Sequence, residues 1–394
     1  MTAAGGSDGP ILPGATLGVL GGGQLGSMFA QAARRMGYRV AVFTDVAECP
    51  AARHADTLHV GRYDDTATLA AFAADVAVVT FEFENIPATA GETLAAARLP
   101  VRPAPAVLFT TQNRGREKAF LAAHGFPCAP WRLVRDEMAL HDAVAALGTP
   151  AVVKTAAFGY DGKGQVRIDS PAATAAAWRT LGGDAGAELV VEGWIDFDCE
   201  ISVVAARGLD GRTVAFEPSR NAHAHHILDV SSVPAGLPER VLAAAREAAC
   251  GILERLDVVG VACVEFFVTR DGRVLVNEIA PRTHNSGHLT IEACETSQFE
   301  QQVRAVCGLP LGATARPAAA AMANLLGDCW ERGEPDWEAA LAIPGVRLHL
   351  YGKSDPRPGR KMGHLTAVAT TVDEAVERVT TARRLLARGS LRGE

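Results

Sequence analysis

The stretch 261–280, VACVEFFVTRDGRVLVNEIA, reads as strand, turn, strand. Asp271-Gly272 between two apolar runs is a strong hairpin signal, because these residues tolerate the positive φ of a two-residue loop. Such a loop pairs Arg270 with Arg273 and, counted outward, sets Glu265 opposite Glu278. Facing Cβ atoms lie about 4.5–5.5 Å apart, and like charges at that distance destabilise a sheet. A divalent cation bridging the carboxylates removes the penalty, and magnesium escorting nucleotide phosphates is a common reason to hold one. Two solvated glutamates, or a slipped register, are the plainer readings.

The segment after the hairpin, PRTHNSGHLT (281–290), spaces His284 and His288 at i, i+4. Ser286-Gly287 opposes a helix there, so a zinc pair is not expected. Upstream, Lys154 ends the apolar strand AVVKT, and the loop AAFGYDGKGQ (156–165) carries Gly159, Gly162, Gly164 and Lys163. Glycine-rich loops cover nucleotide phosphates and a strand lysine supplies a point charge to them. There is no G-x-x-x-x-G-K-[ST], so this is not a P-loop. VEGWIDFDCE (191–200) offers backbone edge at 192–195 and the carboxylates Glu192 and Glu200, suited to an adenine edge and to ribose hydroxyls. The histidines of NAHAHHIL, at 223, 225 and 226, read as hydrogen-bonding or surface groups.

GVLGGGQLG (18–26) contains G-x-G-x-x-G at Gly21, Gly23 and Gly26, with Asp45 after the second strand. This admits a dinucleotide site, another anion at a helix N-terminus, or a turn used only for packing. TFEFENIP (80–87) puts Glu82 and Glu84 at the carboxyl end of a parallel strand, on one side of it, where ligands of open α/β sheets bind. YGKSDPRPGRKMGH (351–364) gathers Lys353, Arg357, Arg360 and Lys361, either a solvated basic turn or a seat for a phosphate monoester.

The chain has 394 residues, 48% hydrophobic and 21% charged, enough for two or three domains. A net charge of −7 argues against general nucleic-acid binding. No apolar run approaches the roughly 18 residues of a membrane span, and the N-terminus lacks the pattern of a secretory signal. Residues 1–14 read as a disordered leader. Eight scattered cysteines without a C-x-x-C pair fit a reduced cytoplasm.

Strands near 16–20, 39–43, 57–60 and 76–81 alternate with helices, of which 24–36 carries the apolar stripe Leu25, Met28, Phe29, Ala32, Ala33 and Met36. That pattern predicts a parallel sheet over 15–112. Residues 113–310 begin with a helix, Arg114 to His124, and continue into a mostly antiparallel sheet that includes 187–192, 199–206, 213–217 and the hairpin. A long helix from Pro238 to about Leu256 precedes the hairpin. Strands near 319–325, 345–350 and 363–371 and a final helix from Val372 form a small cap, 311–394.

GGGQLG, TFEFENIP, KTAAFGYDGKGQ, NEIAPRTHNSGH and YGKSDPRPGRKMGH, in this order and spacing, make the chain resemble the ATP-grasp enzymes from Leu17 to the final helix. The resemblance implies an ATP-grasp fold, α/β and α+β, with an N-terminal parallel Rossmann-like domain and a small C-terminal cap. Within that class it points to the purine-pathway ligases. It implies ATP- and bicarbonate-dependent carboxylation of the exocyclic amine of 5-aminoimidazole ribonucleotide through carboxyphosphate, in a cytoplasmic homodimer, with ATP and Mg2+ (or Mn2+) bound.

Carried onto this chain, the resemblance assigns ATP to Arg114, Lys154, Gly159, Tyr160, Asp161, Gly162, Lys163, Gly164, Gln165, Glu192, Gly193, Trp194, Ile195, Glu200, His223, Asn277 and Glu278. It assigns metal to Glu265 and Glu278. Chemistry falls to Tyr160, Asp161, Lys163, Arg282, His284, Asn285 and Lys353. The ribonucleotide falls to Gln24, Leu25, Glu82, Arg360 and Lys361. Two positions depart from the family pattern: Ala280 stands where many relatives have asparagine, and Ser27 where many have a basic residue. The first passes the asparagine's ligand role to Asn277, to water or to nothing, and the second shifts phosphate binding towards the C-terminal cationic loop.

Overall fold

The computed structural model describes residues 9–157 and 164–387. Its first layer is β1 (Thr16–Leu20), α1 (Gln24–Arg35), β2 (Arg39–Thr44), β3 (Thr57–Val60), α2 (Thr66–Asp75) and β4 (Val78–Phe81). The strands are parallel in the order β3-β2-β1-β4, as the alternation of strands and helices predicts. α1 packs Phe29, Ala30 and Ala33 against this sheet and turns Leu25 and Met28 to Phe299 and Tyr351, and the chain turns back at Gly37, whose φ of 85° suits glycine. Two helices that the sequence reading did not anticipate, α3 (Ala88–Ala96) and α4 (Pro105–Thr111), fill the passage to the next region.

The expected leader is tied down where it is described. Ile11 donates its N–H to the Cys307 carbonyl at 2.8 Å, and its own carbonyl accepts from the Tyr38 hydroxyl at 2.7 Å.

A small antiparallel sheet follows, from α5 (Arg114–Ala123), β5 (Trp131–Val134), α6 (Glu137–Leu147), β6 (Ala151–Thr155), β7 (Gln165–Ile168), α7 (Thr174–Thr180) and β8 (Leu189–Gly193), in the order β5-β8-β6-β7. The chain then crosses at residues 194–196 into a nine-stranded sheet. The apolar runs 187–192 and 199–206, read as parts of one sheet, therefore lie in two. Hydropathy identifies a strand but not its ladder partner.

The large sheet contains β9 (Phe197–Arg207), β10 (Thr213–Ala215), β11 (Ser219–Ala224), β12 (Ile227–Val233), β13 (Gly260–Thr269) and β14 (Val274–Ala280). α8 (Glu239–Arg255) packs Ala245, Ala249 and Ile252 on Val203, Ala205 and Val264 of one face. After α9 (Thr290–Ala293) and α10 (Gln298–Cys307) come β15 (Ala319–Leu326), α11 (Trp337–Leu341), β16 (Val346–Leu350), β17 (Lys361–Ala369) and α12 (Val372–Leu386). The last three strands do more than cap: β15 pairs with β12, so the order runs β14-β13-β9-β11-β12-β15-β17-β16, with β10 attached to β9. Gln302 of α10 joins the first layer to this sheet, donating to Thr80 Oγ1 at 2.7 Å and accepting from the Val261 N–H.

The β11–β12 hairpin was not expected. Its two turn residues are His225 and His226, with φ of 50° and 65°. Both lie in the left-handed region that a tight hairpin turn demands and that asparagine and glycine usually fill.

Candidate functional site

Glu265 and Glu278 are direct cross-strand partners on β13 and β14, as the residue count predicts. The route to that register differs, however. The loop is one residue wider than expected, closing where Thr269 donates to the Arg273 carbonyl at 3.0 Å. Pairs near the turn, such as Val268 with Val274, are consequently shifted by one. An extra residue, Asn277, opens a bulge that restores the count before Glu278. Two departures cancel.

Each acid has a cationic or polar partner. Glu265 lies 3.2 Å from His284 Nε2, and Glu278 accepts from Arg114 Nη1 at 3.0 Å. Burial, then the facing Glu278, hold the Glu265 carboxyl well above its ordinary range. Two acids so placed fit a cation chemically. Among the described residues no three His, Cys, Asp or Glu side chains form a metal cage. A cation there must therefore complete its shell with oxygens of ligand or water, as magnesium on a nucleotide does.

Behind this pair lies a buried charge cluster on α5, β6 and β8. Asn113 caps α5 by accepting from the Arg116 N–H, which fixes where Arg114 begins the helix. Lys154 donates to Glu192 Oε2 at 2.8 Å, and Lys118 stands 3.4 Å from Oε1. Burial alone would raise the Glu192 carboxyl, but Lys154 and Lys118 outweigh it and hold it at about 2. Burial also depresses the Lys154 ammonium. Three cations and the acids Glu192, Glu278 and Glu117 gather in this cluster, a field suited to receive and balance phosphates. His223 pairs with Glu200 at 2.5 Å on the neighbouring strands β11 and β9.

At the crossing between sheets, the N–H groups of Gly193 and Trp194 are taken by the carbonyls of Pro130 and Pro150, at 2.9 and 3.2 Å. The backbone edge expected over 192–195 is thus partly used. Trp194 is 43% exposed and lies under the Arg167 guanidinium, 4.3 Å from the ring centre. Gly164 accepts from the Thr155 N–H at 2.8 Å, and Gln165 pairs with Lys154 in β7 and β6. Gly159, Tyr160, Asp161, Gly162 and Lys163 lie outside the described residues.

On the other side of the acids, Arg282 grips Glu84 through two nitrogens, Nη2 to Oε1 at 2.9 Å and Nε to Oε2. His284 Nδ1 meets the Ser286 hydroxyl at 2.9 Å, and Ser286 meets Ser202 at 2.7 Å. Asn285 and Asn324 exchange amide hydrogen bonds of 3.0 and 2.6 Å. His288 does not join His284. It is buried with its ring 4.8 Å from that of His364. In the cationic loop, Lys353 donates to the Lys361 carbonyl at 2.7 Å and Arg360 to the Asp355 carbonyl at 2.8 Å.

Glu82 and Glu84 diverge rather than sharing a strand side, because β4 ends at Phe81. Both oxygens of Glu82 turn to the glycine loop, accepting from the Gly26 N–H at 2.8 Å and from that of Gly23. Gln24 and Leu25 open α1 between these contacts. Ser27 is buried and donates its N–H to the Gly23 carbonyl. The helix amides that a dinucleotide phosphate would need are therefore already satisfied by a side chain, which removes the basis of the dinucleotide reading.

The residue-based reading passed over Glu117 and Lys118. Arg114, Glu117 and Lys118 stand at i, i+3 and i+4 on one helix, which was the available signal. Burial pushes the Glu117 carboxyl up to about 8.

The fold and site define the ATP-grasp class, and the model of the ATP-grasp domain matches residues 119–299. A ribonucleotide synthetase preATP-grasp domain matches 14–112, and a phosphoribosylaminoimidazole carboxylase C-terminal domain matches 320–378. The chain is 47% identical over 358 residues to the N5-carboxyaminoimidazole ribonucleotide synthase of Brucella melitensis, covering 91% of this chain and 97% of the relative. To that of Bacillus subtilis it is 41% identical over 94% and 96%. The ADP complex of an N5-carboxyaminoimidazole ribonucleotide synthetase superposes with a TM-score of 0.90 at 40% identity, over 95% of this chain and 98% of that one. An Aspergillus clavatus enzyme complexed with ADP and 5-aminoimidazole ribonucleotide gives 0.86 at 29%, over 95% and 99%. The chain belongs to the N5-carboxyaminoimidazole ribonucleotide synthase family.

Proposed function

We propose that the chain carboxylates the exocyclic amine of 5-aminoimidazole ribonucleotide at the expense of ATP and bicarbonate. An oxygen of bicarbonate takes the γ-phosphoryl group and ADP leaves, giving carboxyphosphate. The amine nitrogen then bonds to the carboxyl carbon, directly or after CO2 is released within the site, as phosphate departs and the nitrogen gives up a proton. The observation that carries this reading is the facing pair Glu265 and Glu278, with Arg114 on the second acid. Family membership supplies the substrates.

Arg114 and Lys154 bring positive charge to the nucleotide phosphates, and Glu192 through Ile195, Glu200, His223 and Asn277 surround the nucleoside. The family likeness assigns Gly159 through Gln165 to the phosphates, and Tyr160, Asp161 and Lys163 to the reacting carboxyl. Magnesium or manganese, held by Glu265 and Glu278, would neutralise phosphate oxygens during transfer. Arg282, His284, Asn285 and Lys353 flank the reacting groups. Gln24, Leu25 and Glu82 meet the ribonucleotide at the glycine loop, and Arg360 and Lys361 receive its phosphate. Homodimeric assembly and a cytoplasmic location follow from the same family likeness. No helix among the described residues is long and apolar enough to cross a membrane.

The test is the substrate dependence of ADP release. It should require bicarbonate and 5-aminoimidazole ribonucleotide together. Release driven instead by formate and glycinamide ribonucleotide would reassign the acceptor.

A further inference from the structure

β14 is an edge strand whose outer side is met at Val276, bridged to Cys128 with its N–H donated to the Pro127 carbonyl at 2.7 Å, but has no strand alongside Asn277 to Ile279. Along an unbroken strand, outward N–H groups recur every second residue. Here Val276 and Ile279 both turn their N–H away from β13, three residues apart, which the extra residue Asn277 permits. The bulge thus leaves polar backbone groups on the outer side immediately before and after Glu278.

Side chains of α5 take them. Lys118 Nζ donates to the Asn277 carbonyl at 3.0 Å, and Glu117 Oε2 accepts from the Ile279 N–H at 2.9 Å. Both residues are almost wholly buried, at 0% and 1% exposed. Glu117 Oε1 has no hydrogen-bond partner among the described residues. Taking such groups out of water costs several kcal/mol each, more than covering a strand edge requires. From the same helix face Arg114 holds the Glu278 carboxylate itself. One helix therefore fixes residue 277 by its carbonyl, 278 by its side chain and 279 by its amide.

We infer that Glu117 and Lys118 are positioning residues for the metal and phosphate centre: by clamping β14 on both sides of Glu278, they set the direction in which that acid is presented. This rests on the reading of Glu265 and Glu278 as a metal pair. Neither clamp residue touches a reacting group. Each acts through Glu278, as outer partners of metal ligands do.

The readout is Mn2+ affinity of the ADP-bound protein, followed by electron paramagnetic resonance without turnover. Glu117→Met, which leaves the Ile279 N–H without an acceptor, should weaken Mn2+ binding by about 10- to 100-fold per folded molecule. Glu117→Gln keeps an acceptor oxygen and should restore it. Lys118→Met should follow Glu117→Met. If Glu117→Met does not fold, Glu117→Asp, one carbon short of the amide, should show the same weakening. An unchanged Mn2+ constant in these variants, with only a lower melting temperature, would overturn the inference and leave the metal pair standing. Absence of an ADP-dependent Mn2+ site in the unaltered protein would instead overturn the metal pair, and the inference with it.

Discussion

Replacing Glu84 by glutamine removes the anionic half of the ion pair to Arg282 while keeping the shape of the side chain. The pair joins the end of β4 to the segment after β14, residues 198 apart in sequence, and both side chains are largely buried, at 24% and 17% exposed. Burial alone would raise the Glu84 carboxyl; the Arg282 guanidinium outweighs it and brings the group from 4.5 to about 2. A displacement of that size corresponds to about 3 kcal/mol of stability, at 1.36 kcal/mol per unit. Losing one partner of a buried pair costs about 3–5 kcal/mol, which agrees.

The sign follows from the folded carboxyl being the more acidic. The contribution is fully present above the unfolded value of 4.5 and is lost as pH falls through about 2. Urea unfolding at pH 7 should therefore find Glu84→Gln about 3 kcal/mol less stable, and at pH 3 only about 1 kcal/mol less stable. A difference independent of pH, or below about 1 kcal/mol at pH 7, would refute the assignment of this pair as a structural tie.

Glu278→Ala should fold normally yet lower ADP release by about 100- to 1,000-fold, since charge compensation at the phosphates is lost. Turnover close to that of the unaltered chain would remove Glu278 from the centre. Glu82→Ala deprives the Gly23 and Gly26 amides of their acceptor. It should raise KM for the ribonucleotide by about tenfold, from a lost charged hydrogen bond, and leave KM for ATP unchanged. Gly327→Ala would bring a Cβ within 2.1 Å of the Arg357 carbonyl oxygen. The cationic loop must shift, and steady-state kinetics should show a 5-aminoimidazole ribonucleotide KM higher by about 10- to 100-fold.

Local features were the legible ones. The glycine turn at 21–26, the helix starting at Arg114 and the run of strands in the first layer all follow from short-range chemistry. The Glu265–Glu278 pairing was reached by a count that assumed a two-residue loop and an unbroken strand, each wrong by one residue in opposite senses. What escaped was set by distant partners. The continuation of β12 into β15 pairs residues about ninety positions apart in the chain, and nothing in either strand names the other. The β11–β12 hairpin escaped for a different reason, because His225 and His226 adopt a turn conformation their residue type does not advertise. Glu82 illustrates a third limit: its place at the end of β4 was visible, but its partner there is the backbone of the glycine loop.

The order of strands has a geometric consequence. β14, which carries Glu278, and β17, which begins with Lys361, are six steps apart, or about 29 Å if the sheet were flat. Yet the Lys361 ammonium lies near enough to Glu265 to draw its carboxyl downward, and near enough to His284 to oppose its protonation. The sheet must therefore curve enough to bring these groups within electrostatic reach of one another. On the proposed function, a nucleotide at Glu278 and an acceptor at Lys361 would be brought towards each other by that curvature. On that reading, the distance a labile carboxyl group has to cross depends on the twist of a hydrogen-bonded wall.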